Sequence, residues 1–248
     1  MSFTEIAAIT AAGLFAGLVN AIVGSGSLLT FPVLLAFGYA PLVANVSNTV
    51  GMAFGNLSGV VGYRRELAGQ SRRIAELALP AGAGGVTGAL LLLALPAAVF
   101  QRVVPVLIVL AVGLVIVQPK LTGLLATHRD HVYATWGLRV GVFLTAIYGG
   151  YFGAAQGVIL VALMALVLPD GLQRLNALKN VLAAIVNGLA AIVFVLLAHI
   201  AWPAAIMLAV SSVVGGQIGA VAGRRLPPNV LRGAIVVGGL ATVIKLVA

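Results

Sequence analysis

Two glycine-rich interruptions occur inside otherwise apolar stretches of this sequence, and a short apolar segment follows each. Such a break frees backbone N–H groups, which hydrocarbon tolerates only where protein or a water-lined cavity satisfies them. The helix that begins after the break points a partial positive charge at it, so each break is a candidate anion site. The alternative is close helix packing through small residues, which we expect for Gly13, Gly17, Gly84 and Gly88. The candidate residues are Gly24, Ser25, Gly26 and Ser27 in the first break and Gly153, Gln156 and Gly157 in the second.

Polar side chains form two matching clusters inside longer apolar segments. Their i, i+3 and i+4 spacings place each cluster on one helix face. Polar groups at such depth are costly and by default indicate a substrate pathway, whereas interhelical hydrogen bonds of about 0.6 kcal/mol are the structural alternative. Asn56 and Asn187, further along the same segments, fit either role equally well. The predicted site residues are Asn45, Asn48 and Thr49 in the first cluster and Asn176, Lys179 and Asn180 in the second.

Residues that other intramembrane chemistry would need are missing. The five acidic residues and three histidines lie in loops or at segment ends, and cysteine is absent. We therefore expect no metal site, no cofactor and no enzymatic activity, although a pairing of Ser25 or Ser27 with Lys179 stays open. Backbone N–H groups, hydroxyls, amides and one lysine are hydrogen-bond donors. That set suits a small oxyanion rather than a cation.

The composition is that of a polytopic membrane protein. Hydrophobic residues make up 62% of the chain and charged residues 8%, against about 45–50% and 25% in soluble domains. The net charge of +9 arises from basic residues in short loops, which the positive-inside rule explains, so nucleic acid is not an expected partner. The N-terminus lacks a basic region and a cleavage site, which favours a retained first helix over a signal peptide.

Ten hydrophobic segments can be recognised along the chain. The second and seventh are short for a full crossing and are expected to be half-helices or re-entrant pieces. The segments lie at residues 5–23, 27–38, 42–63, 74–95, 98–118, 133–152, 155–168, 174–198, 203–222 and 230–247.

The chain also repeats itself. Asn45 and Asn56 align with Asn176 and Asn187 at one constant shift, and the two glycine-rich breaks align at nearly the same shift. Paired asparagines in apolar helices seldom match by chance. The repeat predicts a first membrane half at residues 1–118, a cytoplasmic linker at 119–132 and a second half at 133–248.

Loop charges predict that the two halves have opposite orientations. The loop at residues 63–73 carries four arginines, whereas its counterpart at 199–203 has no lysine or arginine and contains Trp202. Basic loops stay in the cytoplasm, so these equivalent loops are expected on opposite sides. Five segments per half imply the same inversion, with both termini extracytoplasmic. Inverted repeats are a transporter architecture whose site lies at the midplane between the halves.

These motifs resemble a known family. The stretch VNAIVGSGSLLTFPVLLAFGYAPLVANVSNTV at residues 19–50, followed by GYRREL, closely resembles the TauE/SafE sulfite-exporter family of bacterial membrane proteins. The stretches LNALKNVLAAIVNGLAAIVF and WPAAIMLAVSSVVGGQIGA resemble its second half. The resemblance implies sulfite, sulfonates or other small organic anions as substrates. One departure is Ser25, which stands where the family commonly has the second of three consecutive glycines.

Together these features predict an all-α polytopic transporter, an exporter of small oxyanions that works by alternating access around a midplane site. An anion channel and a proton-coupled transporter of small organic carboxylates remain as alternatives. The expected partners are the small anion and the lipid bilayer, with a homo-oligomer left open. The expected location is the inner membrane of a bacterium.

Overall fold

Nine helices make up the described part of the protein. The computed structural model describes residues 1–125 and 134–222, together with residues 233, 236 and 237. Within these residues every regular element is helical, which confirms the predicted all-α fold. The tenth predicted segment, at 230–247, lies outside the described residues apart from those three positions. The helices are α1 Phe3–Ile22, α2 Ser27–Ala36, α3 Pro41–Gly62, α4 Ser71–Ala94, α5 Ala97–Leu125, α6 Ala134–Tyr151, α7 Gln156–Val167, α8 Leu172–Leu197 and α9 Trp202–Ala222.

Helix length sets two of the described helices apart from five others. Five helices, α1, α4, α5, α8 and α9, are long and apolar enough to cross a membrane. In contrast, α2 has 10 residues and α7 has 12, so at 1.5 Å per residue they span roughly 15 and 18 Å. A hydrocarbon core is about 30 Å thick. The two short segments expected from the sequence are therefore confirmed as short helices.

Local sequence explains where these helices begin. The Ser2 side chain accepts a hydrogen bond from the backbone N–H of Glu5, and the Glu5 carboxylate accepts one from the Ser2 N–H. This capping box satisfies two of the donors that the start of α1 leaves free. Pro41 occupies the first position of α3, where its missing N–H removes no intrahelical bond.

Helices α3 and α8 lie at the centre and contact each other, while α1 packs on α9 and α4 packs on α6. Glycines allow the close approaches. A Cβ on Gly17 would lie 2.8 Å from the Cα of Ser212, and one on Gly88 would lie 2.8 Å from the backbone nitrogen of Tyr151. The packing role predicted for these glycines is confirmed, because a side chain at either position would overlap the neighbouring backbone.

Polar loops fasten the elements at both ends of the bundle. At one end, Arg73 and Arg174 both pair with the carboxylate of Asp170, and the Gln70 side chain donates a 3.1 Å bond to the carbonyl oxygen of Arg174. At the other end, the Tyr39 hydroxyl donates a 2.7 Å hydrogen bond to Glu5. The first set ties the loop before α4 to the start of α8, and the second ties the loop after α2 to the start of α1.

Candidate functional site

The first break lies between α1 and α2 and is formed by a glycine in the left-handed region. The carbonyl oxygen of Val19 accepts hydrogen bonds from Val23 at 2.7 Å and from Gly24 at 3.2 Å. Gly24 has φ +87°, a conformation that glycine adopts without the Cβ penalty. This is a left-handed helix end, and it stops α1 before the polar residues that open α2.

The second break, between α6 and α7, has the same backbone geometry. The carbonyl oxygen of Tyr148 accepts bonds from Phe152 at 2.9 Å and from Gly153 at 3.2 Å, and Gly153 has φ +77°. Ala155 also has a positive φ, +59°. A non-glycine residue costs roughly 1–2 kcal/mol there, so the fold holds this turn against a local preference. Both predicted breaks are therefore real interruptions of the helical hydrogen-bond ladder.

The two breaks touch each other. The backbone N–H of Gly157 donates a 3.0 Å hydrogen bond to the carbonyl oxygen of Gly24. A Cβ on Gly24 would lie only 2.5 Å from the Cα of Gly157, and the reverse distance is the same. A single candidate site thus combines the N-terminus of α7 with the end of α1, although these residues are far apart in sequence.

Lys179 lies across this contact and is 1% exposed. Its Nζ donates hydrogen bonds to the carbonyl oxygens of Asn20 at 2.9 Å and Ala21 at 3.1 Å, and Asn180 Nδ2 donates to Ala21 at 3.3 Å. These carbonyls belong to the last turn of α1, where helical partners are missing. Two of the predicted site residues in α8 therefore cap the end of α1, which is distant in sequence.

Asn45 on α3 makes a comparable bond to the end of the other broken helix. Its Nδ2 donates a 2.9 Å bond to the carbonyl oxygen of Tyr151, at the end of α6. Helix α8 thus supplies polar donors to the end of α1, and α3 supplies one to the end of α6. Interhelical hydrogen bonding, the structural alternative to a substrate pathway, therefore accounts for part of the role of these polar clusters. The bonds satisfy backbone groups that a break leaves free.

Asn20 is a residue of the site that the sequence reasoning missed. Its side chain donates to Asn56 Oδ1 and accepts a 3.4 Å bond from the N–H of Gly26, while Asn56 Nδ2 donates to the carbonyl oxygen of Ala183 at 3.5 Å. The amide thus joins α1, the first break and α3. An amide four residues before a glycine break, inside an apolar segment, was the available signal.

Three buried polar atoms near the breaks lack a partner within the described part of the chain. They are Ser25 Oγ, Gln156 Nε2 and Asn45 Oδ1. Ser25 is 1% exposed and Gln156 is 2% exposed. An unpaired buried polar group costs about 1–3 kcal/mol. The hydroxyl and the amide nitrogen are hydrogen-bond donors without an acceptor among the described residues. An anion site requires such free donors.

The position of Gln156 depends on a glycine in the preceding helix. A Cβ on Gly149 would lie 2.6 Å from Gln156 Nε2, so the amide occupies space that a side chain at 149 would take. At the first break, a carboxamide comes instead from Asn20, which precedes the turn and accepts a bond from the N–H of Gly26. Each break therefore has one carboxamide, delivered from opposite sides of the turn.

The remaining predicted residues are less closely connected to the contact. Asn48 accepts a hydrogen bond from the Thr30 hydroxyl, and the Thr49 hydroxyl donates to the Asn45 carbonyl of its own helix at 3.0 Å. Asn176 is buried, but no hydrogen bond among the described residues involves its side chain. The structure brings Gly24, Ser25, Gln156, Gly157, Lys179 and Asn180 to the two breaks and leaves Asn176 and Thr49 without a direct role there.

Several apolar helices surround a polar site that is buried at two helix breaks, and this arrangement defines a multi-pass membrane protein of the transport class. The chain belongs to the sulfite exporter TauE/SafE family, whose sequence pattern it matches over residues 9–246. No solved structure matches the chain significantly.

Similar proteins have names that indicate transport. A "Probable membrane transporter protein" of Haemophilus influenzae is 29% identical over 208 residues, which are 84% of this chain and 81% of that one. The "Probable membrane transporter protein YfcA" of Escherichia coli is 26% identical over 83% of this chain and 76% of its own length. The "Probable membrane transporter protein ORF9" of a Sinorhizobium species is 25% identical over all of this chain and 94% of its own length.

Proposed function

We propose that this protein exports small oxyanions, such as sulfite or organosulfonates, across the inner membrane of a bacterium by alternating access. The observation that carries the proposal is the set of unused donors at the contact between the breaks. Ser25 Oγ and Gln156 Nε2 have no partner among the described residues, and the buried Lys179 bonds to the end of α1 next to the first break. Donors without acceptors in a buried site favour an anionic ligand. The family supplies the substrate class, because its description names sulfite export.

The architecture we propose is a pair of inverted halves around this site. Support comes from the pairing of the helices. In the first half α1 contacts α2 and α3, as α6 contacts α7 and α8 in the second; across the halves α1 packs on α9, as α6 packs on α4. The matched breaks agree with the same relation. Inverted halves with broken helices at the midplane are typical of alternating-access transporters.

The orientation we propose follows from the loops. The arginine-rich loop before α4 is bonded to the start of α8 through Asp170, so both belong on the cytoplasmic side under the positive-inside rule. The loop after α2 is bonded to the start of α1 through Tyr39 and Glu5. That end, with the N-terminus, is then extracytoplasmic.

The mechanism we propose begins from the closed arrangement described here, in which Gly24 and Gly157 are in contact and Lys179 covers them. An anion that binds Ser25, Gln156 and Lys179 competes with the carbonyl groups that now hold the lysine. Loss of those bonds releases the end of α1 from α8 and lets the halves rock. Export of one negative charge is driven by about 2.3 kcal/mol per 100 mV of inside-negative potential.

Flux measurements in proteoliposomes test the proposal. The purified chain should carry sulfite with saturation and counterflow, and the flux should increase with inside-negative potential at a fixed pH. For a short sulfonate, whose charge does not change with pH, a pH gradient at clamped potential should add nothing. Large conductance without counterflow would indicate a channel instead, and flux that needs the pH gradient would indicate proton coupling. Absence of any saturable flux with sulfite and short sulfonates would overturn anion transport.

A further inference from the structure

Lys179 is the only charged side chain among the buried residues that the structure describes. Its Nζ contacts the carbonyl oxygens of Asn20 and Ala21, both neutral groups. None of the ion pairs among the described residues includes it, and those pairs lie at the loop ends around Asp170 and Glu76. The buried lysine therefore has no carboxylate counter-ion in the described part of the chain.

The end of α1 compensates this charge only in part. A helix C-terminus carries about half a negative elementary charge, and Lys179 bonds to two carbonyls of that last turn. A buried ion that is incompletely paired is costly. When Lys179 is protonated, the site therefore carries a positive charge that a bound anion can neutralise.

The other donors at the contact add no formal charge. Ser25 offers a hydroxyl, Gln156 an amide nitrogen, and the breaks offer backbone groups. The neighbouring polar side chains Asn20, Asn56 and Asn180 are amides that already bond to protein. With Lys179 protonated, the formal charge of the described site is thus a single positive one.

Resting on the proposed anion transport, we infer that the site selects anions of one negative charge and discriminates against dianions of similar size. A monoanion with Lys179 forms a neutral complex in the low-dielectric interior. A dianion leaves one negative charge uncompensated there, where water cannot screen it. Of the two ionised forms of sulfite, hydrogensulfite is then the transported species.

Competition with a matched set of sulfonates tests this inference on the unmodified protein. Sulfonates stay ionised at every accessible pH, so their charge is constant. Ethanedisulfonate is the dianion, and methylsulfonyl-ethanesulfonate is its monoanionic match, in which a methyl group replaces one charged oxygen. Both are added to sulfite counterflow in proteoliposomes. We expect the monoanion to compete on the order of 100-fold more strongly or better, since an unpaired charge near a protein site is worth several kcal/mol.

Two substitutions test whether Lys179 causes the discrimination between the monoanionic and the dianionic sulfonate. Lys179→Met keeps the length of the side chain but removes its charge, so the monoanion should compete about 100-fold less well and the difference between the two sulfonates should collapse. Asn48→Lys places a cation at the position in α3 that aligns with Lys179, and it should increase competition by the disulfonate. Size-exclusion profiles identify variants that fail to fold, in which case the unmodified protein decides alone.

The possible results separate the inference from the function on which it rests. Equal competition by the two sulfonates, with saturable sulfite flux intact, overturns charge selection and leaves anion transport standing. Discrimination that persists unchanged in a folded Lys179→Met protein overturns the role of the lysine. Absence of saturable flux with every anion overturns both proposals together.

Discussion

The carbonyl oxygen of Gly24 accepts a hydrogen bond from the backbone N–H of Gly157, so the two helix breaks of the protein are joined directly by main chain. Neither residue has room for a methyl group on the side that faces the other. This contact closes the candidate site from which Ser25 and Gln156 present their unused donors. The contact and the polar bonds of the bundle have consequences that can be measured.

Gly24→Ala should destabilise the protein and stop sulfite flux. The new Cβ would lie 2.5 Å from the Cα of Gly157, an overpacking that costs about 1–3 kcal/mol. Gly38→Ala is the matched control, because Gly38 has φ +85° but no atom lies within 4 Å of the position that its new methyl group would take. Unfolding midpoints of both variants measure the contact separately from the backbone strain, which they share. Equal losses in the two variants would mean that the contact contributes nothing.

Gly157 can be tested in the same way, with a control glycine that also lies within a helix. Gly157→Ala meets the same obstruction, whereas a Cβ on Gly188 in α8 would meet nothing within 4 Å. Alanine is a better helix former than glycine by about 1 kcal/mol. Gly188→Ala should therefore leave stability equal or higher, with flux retained, while Gly157→Ala should lose both.

Gln156→Met should weaken transport while keeping the fold. Gln156 Nε2 has no protein partner in the described chain, so replacing the amide by an apolar chain of similar length breaks none of the bonds seen around it. If the amide binds the anion, losing a hydrogen bond to a charged group costs about 1.5–3 kcal/mol, or roughly 10- to 150-fold in apparent affinity. Sulfite counterflow and the unfolding midpoint are the two measurements. A variant that unfolds more easily but transports normally would assign Gln156 a structural role.

Asn20 and Asn56 should be energetically coupled. The Asn20 amide donates to Asn56 Oδ1 and accepts from Gly26, so either single change to alanine leaves a polar partner unpaired. Interhelical hydrogen bonds in membrane proteins contribute about 0.6 kcal/mol on average and up to about 1.7. A double-mutant cycle on unfolding free energy should give a coupling in that range. Strict additivity of the two changes would show that the bond does not form.

The ion pairs of Asp170 with Arg73 and Arg174 predict that the protein becomes less stable against unfolding in acid. Burial alone would raise the pKa of the Asp170 carboxyl, but the hydrogen bonds and charges of Arg174 and Arg73 outweigh burial and lower it. A lowered pKa in the folded protein means that the stabilisation is present above the unfolded pKa of about 3.9. It is lost as pH falls below about 5 towards the folded-state pKa. Unfolding midpoints of the unmodified protein should therefore decline over that range.

Asp170→Asn is the control for that decline. The amide accepts a hydrogen bond but carries no charge, so the variant should be less stable at neutral pH and should show a flatter acid response. Arg102→Gln, at a position outside these ion pairs, should leave the acid response unchanged. An identical slope in Asp170→Asn and the unmodified protein would remove Asp170 as the cause.

Much of the helical framework could be predicted from the residues alone. The length of an apolar segment and the position of a glycine break both depend only on residues that are neighbours in sequence. The segments proposed for α2 and α7 end within two residues of the observed helices. The close packing of Gly17 and Gly88 was also predictable, since small residues repeat at helical spacing. The polar clusters on α3 and α8 were visible because amides and a lysine are rare in such apolar surroundings.

The partners of those polar groups were decided only by tertiary structure. Lys179 bonds to carbonyls some 158 positions away in the chain, and nothing local to α8 indicates that the end of α1 will lie against it. Asn20 escaped notice for the same reason, since its importance depends on Asn56 and Gly26 together. The sequence by itself determined where the helices stop. Packing of the helices determined that these two helix ends meet, because a backbone contact such as that of Gly24 with Gly157 exists only once distant helices have closed around it.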